Sequence, residues 1–319
     1  MPADVLVSHI YERHHFDRLA AEFPHVRFTR LSGEEPWPAV VANASALLFA
    51  GLTKPLLSRL LQASPRLEWI QTGSAGFDWV MVPEVEQRGI IVTRSLDVMS
   101  IPIAEFVLAA MLRNAKRFVE LQAAQARHEW KPPFHQELRA KEVLVVGAGS
   151  IGTRVARLCA AFGMRVVGVS RSGLANDAFH SVHVPAALDT LLPTADYVVL
   201  TAPGTPETEG MIDARRLGMM KTGSYLINVA RGSLVVDADL IAALESGRLA
   251  GACLDAFREE PLSADSPLWQ VENLFISPHS SYRTPEIRSR VIDEFAANLT
   301  AYLEGRPLVG RMRNKELGY

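Results

Sequence analysis

Two α/β domains, each built on a parallel sheet, are the fold that this chain of 319 residues predicts. Short β-like runs alternate with helix-like segments along nearly the whole length, the pattern of parallel strands joined by crossover helices. One complete βαβ unit in the middle carries a glycine turn of the form G-x-G-x-x-G. The length exceeds one ordinary core and suits two.

In the first hundred residues, Val5 to Ser8, Val26 to Thr29, Ala46 to Phe49, Leu67 to Gln71 and Ile90 to Thr93 read as strands, with Lys54 to Ala63 as an intervening helix. Pro102 opens a long helical pattern, Ile103 to about Arg127, with apolar residues on more than one face, as in a helix buried between domains or subunits. After it, Val143 to Val146, the glycine turn, a helix with Ile151, Val155, Leu158, Cys159 and Phe162 at helical spacing, a left-handed stop at Gly163 and Met164 to Ser170 form the βαβ unit. His180 to Val184, Tyr197 to Ala202, Ser224 to Val229, Gly251 to Leu254 and Leu274 to Ile276 continue the strands, and Ala238 to Glu245 is a helix stopped by Gly247. The amphipathic helix from about Pro285 to Glu304 follows a completed sheet, so it is expected to cross back to the first domain. The expected division is residues 1–100 with 285–319 around an inserted domain, 101–284.

The glycine turn names a ligand class. Gly147 would permit the tight turn, Gly149 would let backbone approach a pyrophosphate, and Gly152 would let the helix pack close to the strand, its N-terminus facing the phosphates. Ser150 and Ile151 complete the turn. An NAD site usually carries an Asp or Glu about 20 residues further on, at the end of the second strand, to bind the ribose 2′-hydroxyl. Here Ser170-Arg171-Ser172 stands there and the first acidic residue is Asp177. A guanidinium flanked by hydroxyls can bind a 2′-phosphate through charge-assisted hydrogen bonds, so NADP(H) is favoured, with NAD(H) possible.

A net charge of −2 and no long basic block give no reason to invoke nucleic acid or an anionic membrane. The most apolar uncharged stretch, Pro36 to Thr53, is broken by prolines, Asn43 and Ser45 and makes a poor membrane span. The two cysteines, Cys159 and Cys253, lie in apolar contexts and read as buried thiols, without a disulfide framework or metal site. The N-terminus begins as a strand without a signal-peptide pattern, and a cytoplasmic protein is expected.

Three polar residues stand where an apolar strand gives way to a turn, the edge of a parallel sheet at which ligands bind. They are Arg231, Glu260 and His279. Their segments resemble the D-isomer-specific 2-hydroxyacid dehydrogenase family, over nearly the whole chain: Gly73-Ser-Ala-Gly76-Phe-Asp78, Ala104-Glu105, the glycine motif, Pro203-Gly-Thr205-Pro-Glu-Thr208, Asn228 to Gly232, Asp255 to Pro261, and Pro278-His279. The resemblance implies Rossmann-like and flavodoxin-like domains with an active-site cleft between them, the segments 1–100 and 285–319 binding substrate and 101–284 binding the cofactor. It implies an Arg-Glu-His catalytic set at Arg231, Glu260 and His279. It also implies cofactor contacts from Ala202, Pro203, Thr208, Ala230 and Asp255, the last near the nicotinamide amide, and a substrate carboxylate held by the backbone amides of Ala75 and Gly76. A homodimer follows from the same resemblance.

The reaction so implied suits those residues. Reducing a 2-oxo acid moves hydride to the carbonyl carbon while negative charge develops on oxygen, and imidazolium is a proton donor suited to neutral pH whose charge and orientation a neighbouring carboxylate favours. His279 is the expected acid, Glu260 its partner, and Arg231 the group that holds the substrate carboxylate in a bidentate fork. Finer resemblance points to the glyoxylate/hydroxypyruvate reductase branch, on Ser170-Arg171-Ser172, His128-Glu-Trp130-Lys-Pro, Arg258-Glu-Glu260-Pro-Leu, Ser266-Pro-Leu-Trp269-Gln and the Gly-Tyr terminus. Trp130 and Tyr282 are candidates to line the substrate pocket. Departures occur at Gly204, where the family usually has leucine, and at Ser280-Ser-Tyr282, where small or apolar residues are common. Two other readings compete: an NAD-linked dehydrogenase of another acid, such as phosphoglycerate, and a dinucleotide-sensing corepressor-like binding protein.

Overall fold

The computed structural model describes residues 3–74, 76–77 and 79–312. The chain divides into two compact units, one from the N-terminus to Met99 together with Thr284 onward, the other Ser100–Arg283.

The first unit is a five-stranded parallel sheet of β1 (Asp4–Val7), β2 (Arg27–Arg30), β3 (Ala46–Phe49), β4 (Trp69–Thr72) and β5 (Ile91–Arg94), in the order β2-β1-β3-β4-β5. That is the flavodoxin-like order. The alternation of side chains about each strand sorts the core: Leu6, Leu47 and Ile70 pack with Leu57, Leu60 and Leu61 of the helix Lys54–Ala63 on one face. On the other, Val5, Val7, Ala46, Leu48 and Trp69 pack with Val291, Ile292, Phe295 and Leu299 of the helix Ile287–Leu303. This last helix therefore contributes to the core of the N-terminal sheet, with Trp69 and Phe295 stacked at a ring separation of 5.3 Å.

The second unit has seven parallel strands: β6 (Glu142–Val146), β7 (Arg165–Val169), β8 (Ser181–His183), β9 (Tyr197–Leu200), β10 (Ser224–Asn228), β11 (Leu249–Leu254) and β12 (Leu274–Ile276). Their order, β12-β11-β10-β9-β6-β7-β8, reverses direction between β6 and β9, where a doubly wound sheet opens a crevice at its carboxyl edge. Leu144, Val146, Val167, Val198, Leu200, Leu226 and Leu254 fill one face of the sheet.

One expected element is different. The helix expected from Ile103 to Arg127 is two helices, Ser100–Ala115 and Phe118–Ala126, broken at Arg117, whose φ of 50° is left-handed. Neither glycine nor proline marks the break. Local bonds hold it: Arg117 donates to Glu120 at 2.7 Å, and Lys116 Nζ donates to the carbonyl of Gln136 at 2.9 Å. No residue of Phe118–Ala126 is buried.

Candidate active site

The dinucleotide turn is shaped by close approach. Gly147 has φ +115°, and a Cβ there would stand 2.6 Å from the amide nitrogen of Ala202; a Cβ on Gly152 would stand 2.0 Å from the carbonyl oxygen of Gly147. Both positions are closed to any side chain. Gly149 is the reverse, exposed, with open space where its Cβ would be, and it caps the helix Ser150–Ala161 without a side chain. Free space over a helix N-terminus fits a pyrophosphate. Ile151 is half-buried and Ser150 exposed at the same turn. Across the crevice, Ala202 is buried and Pro203 exposed after β9, and Thr208 ties that loop together, donating to the carbonyl of Pro203 at 2.7 Å and accepting from the amide of Thr205 at 2.8 Å.

At the end of β7, Arg171 and Ser172 are exposed and Ser170 is half-buried. The two hydroxyls shape the turn: Ser170 Oγ accepts from the amide of Gly173 at 3.2 Å and Ser172 Oγ from that of Leu174 at 3.3 Å. Further along, Asn176 Nδ2 donates to Thr153 Oγ1 at 2.9 Å, fastening this loop to the first turn of the helix after the glycines.

Arg231 follows β10. Asn228, fully buried at the strand end, accepts from the amide of Ala230 at 3.0 Å and donates to the carbonyl of Arg231 at 2.9 Å, so one amide side chain fixes the turn. Gly232 then passes so close to the neighbouring segment that a Cβ would lie 1.8 Å from the carbonyl carbon of Phe257. At Gly204 a Cβ would stand 3.2 Å from Cγ of Arg231, so the arginine side chain must shift by a few tenths of an ångström to admit one. Leucine in its place would press on the arginine stem.

His279 and Glu260 are brought together. His279 Nδ1 lies 2.8 Å from Glu260 Oε2 and 3.0 Å from Oε1, and each side chain keeps a little over a quarter of its surface accessible (28% and 29%). Glu260 is itself held, since Oε1 accepts from the amide of Phe257 at 2.9 Å. The ring of Tyr282 meets His279 edge-on, 6.1 Å between centroids. Asp255 is buried, and its Oδ1 accepts from Ser277 Oγ at 2.7 Å and from the amide of Ser280 at 2.8 Å. Asn228, Gly232, Ser277 and Ser280 are contributions that sequence reasoning did not assign. The Asn-x-Ala pattern after a strand is the signal that could have found the first, as a side chain closing its own turn.

Gly76 lies after β4 in the first unit, where Ser74 Oγ donates to its carbonyl at 2.8 Å. Ala75 lies outside the described residues. Trp130 is 99% exposed. Among the described residues, no group of three or more His, Cys, Asp or Glu side chains is placed to hold a metal ion. No described helix is long and apolar enough to cross a membrane.

A doubly wound parallel sheet with a glycine turn at its switch point, and a His–Glu pair and an arginine at the ends of its strands, define a dinucleotide-dependent oxidoreductase. The profile of the D-isomer specific 2-hydroxyacid dehydrogenase NAD binding domain matches residues 108–281. A glyoxylate reductase of Thermofilum pendens is 34% identical over 83% of this chain and 80% of its own length. The structure of an NADPH-dependent glyoxylate/hydroxypyruvate reductase from Sinorhizobium meliloti, in complex with NADP and sulfate, is similar with a TM-score of 0.86 and 26% identity, covering 99% of this chain and 100% of that one. A D-isomer specific 2-hydroxyacid dehydrogenase from Xanthobacter autotrophicus, in complex with NADPH and MES, gives a TM-score of 0.85 and 29% identity, over 100% and 99% of the two chains. The chain belongs to the D-isomer specific 2-hydroxyacid dehydrogenase family, in its glyoxylate reductase branch, and is an enzyme that uses a nicotinamide cofactor.

Proposed function

We propose that the protein reduces a small 2-oxo acid, of the size of glyoxylate or hydroxypyruvate, to the D-2-hydroxy acid, with His279 as general acid and NADPH as the preferred cofactor. The His279–Glu260 contact of 2.8 Å carries this reading. The nicotinamide supplies hydride to the carbonyl carbon. His279 gives a proton to the oxygen on which charge develops: Nδ1 faces Glu260, so Nε2 is the nitrogen left for the substrate, and the carboxylate holds the ring and balances the imidazolium. Arg231 grips the substrate carboxylate with its planar fork. Tyr282, edge-on to His279, favours small acids by narrowing the space beside the acid.

The relatives named glyoxylate reductase and the neighbours holding NADP or NADPH support this assignment over the phosphoglycerate-like and corepressor-like readings. The preference for NADPH rests on Arg171 and on the absence of a carboxylate from Ser170 to Asn176. We assign a homodimer as well, supported by the helix Phe118–Ala126 that buries no residue and by Trp130 and Phe134, 99% and 93% exposed, in the segment after it. Light scattering tests the dimer. The cytoplasm, a reducing compartment, suits the two free thiols.

Kinetics with NADPH and glyoxylate, hydroxypyruvate, pyruvate and an uncharged aldehyde test the main reading. The acids are expected to be reduced and the aldehyde refused. His279→Gln is expected to lower turnover by about 10²–10⁴-fold while NADPH still binds. Arg231→Lys, which keeps charge and loses the fork, is expected to impair both kcat and KM. Comparable efficiency on the aldehyde, or undiminished turnover in the glutamine variant, contradicts the proposal.

A further inference from the structure

We infer that Tyr11 is a positioning residue for the substrate-carboxylate loop 73–76 of the first unit, its buried phenol wedged against that loop at Gly73. The inference rests on the reading that the protein reduces a 2-oxo acid whose carboxylate this loop holds. Tyr11 belongs to the short segment that follows β1, and it is 1% exposed. A Cβ on Gly73 would stand 2.5 Å from the tyrosine oxygen, whereas its next neighbours, Cγ1 of Val291 at 3.4 Å and the carbonyl oxygen of Phe49 at 3.8 Å, are ordinary contacts. One hydroxyl therefore closes this position to a side chain.

The contact is one of three made by consecutive side chains. The ring of His9 lies against Gly33 after β2, where a Cβ would stand 3.2 Å from its Cε1, and Cγ2 of Ile10 lies 2.6 Å from the place of a Cβ on Gly51 after β3. Glycines after β2, β3 and β4 thus each receive one side chain of the segment after β1. That segment is itself fixed. Ser8, fully buried, accepts from the amide of Ala50 at 3.0 Å; the carbonyl of His9 accepts from Arg30 at 2.7 Å; and the amide of Tyr11 donates to the carbonyl of Ser8 at 3.2 Å. The result is a template laid across the carboxyl edge of the first sheet, the edge at which parallel α/β sheets bind ligands.

Hydroxyls join Gly73 to the far end of its loop. Ser74 Oγ donates to the carbonyl of Gly76 at 2.8 Å, so in its 2.8 Å contact with Thr72, buried at the end of β4, the threonine hydroxyl is the donor. A side chain on Gly73 that pushed the loop off Tyr11 would carry Ser74 and the carbonyl of Gly76 with it. The phenol cannot swing aside, because it belongs to the core cluster that includes Val291 and Phe295 and meets the ring of His15 edge-on, 6.4 Å between centroids. Burial raises its pKa, so the hydroxyl stays neutral near pH 7 and acts through its shape. A hold on the unreacting carboxylate is equal in ground and transition states, and its disturbance raises KM while leaving kcat nearly unchanged.

The test measures kcat and KM for glyoxylate at saturating NADPH, together with the Kd for NADPH by fluorescence, in Tyr11→Phe, in Gly73→Ala and in the variant carrying both. Gly73→Ala is expected to raise KM by about tenfold or more, with kcat and the Kd for NADPH changed less than about twofold. Tyr11→Phe, which keeps the ring and loses the oxygen, is expected to raise KM by about two- to fivefold. In the combined variant the new Cβ occupies the space the oxygen left, and KM is expected to fall back to within about threefold of wild type. A merely structural cost would lower the thermal stability of Gly73→Ala and leave KM where it was. An unchanged KM in Gly73→Ala overturns the inference, as does a defect that Tyr11→Phe does not relieve, or a loss confined to the Kd for NADPH. Should Gly73→Ala not fold, Tyr11→Phe alone decides: a raised KM supports the inference and a wild-type KM overturns it. Wild-type protein that turns over no 2-oxo acid instead refutes the reading beneath the inference, and the inference falls with it.

Discussion

Gly232 decides where Arg231 can stand. Any larger residue there meets the backbone of Phe257 and Arg258, at 1.8 Å from the carbonyl carbon of one and 2.2 Å from the amide nitrogen of the other, and backbone of a neighbouring strand end cannot rotate away. Gly232→Ala is therefore expected to push the ends of β10 and β11 apart, costing about 1–3 kcal/mol or more of stability and separating Arg231 from the Glu260 segment. Thermal unfolding and kcat/KM measured on one preparation check this; an alanine variant with wild-type values for both contradicts it. The arginine, glutamate and histidine themselves were legible in the sequence, because a polar residue at the end of an apolar run stands out and the matching segments assign each a role. Their supports were less so. Asn228 acts on its own turn and could be read locally, whereas Asp255 bonds to Ser277, Ser280 and Ser281, which are 22 to 26 residues further on and meet it only once β11 and β12 pair.

Among the elements, those with a clear apolar run and a chemical stop were read with the bounds found: Ala46–Phe49, Leu274–Ile276 and the helix Lys54–Ala63. The break at Arg117 was not, because the apolar pattern continues through Ala-Lys-Arg-Phe-Val and the left-handed turn is imposed by bonds to Glu120 and Gln136 rather than by glycine. The loop after β7 is held in a comparable way. Asn176 joins it to Thr153, and Arg157 lies 3.6 Å from Asp177, so Arg171 is presented by a loop fastened at its far end. If Arg171 binds the 2′-phosphate, Arg171→Ala is expected to weaken NADPH by roughly 10- to 100-fold, the worth of a charge-assisted contact, and to spare NADH. Asn176→Ala is expected to do the same more weakly, since the guanidinium remains and its placement loosens. Parallel KM values for the two cofactors decide it, and equal losses for NADPH and NADH reject a 2′-phosphate role for this loop.

At the scale of the whole molecule, each unit gathers its core from distant parts of the chain, and titratable groups are buried with it. Cys159 and Cys253 are both unpaired, and burial pushes each thiol up to about 12. Cys159 sits at 3.9 Å from the sulfur of Met111. Burial raises the hydroxyls of Tyr11 and Tyr225 in the same direction. An acid whose pKa is higher folded than unfolded is bound to its proton more tightly by the native state, so its contribution is fully present below the unfolded pKa and is lost as pH rises beyond it. For a thiol that onset is about 8.5, and between there and about 12 each thiol removes up to about 1.4 kcal/mol per pH unit. Stability is therefore expected to be flat from pH 7 to 8 and to fall steadily above 9, with the fall made shallower by Cys159→Ala or Cys253→Ala even though each alanine lowers stability at pH 7. The same burial predicts reactivity. At pH 8 neither thiol should label with a disulfide reagent in the native protein, and both should label when denaturant is added, at a rate set by unfolding and independent of reagent concentration. Immediate labelling of one native thiol, or a melting temperature that does not respond to alkaline pH, would show that these cysteines are reached by solvent.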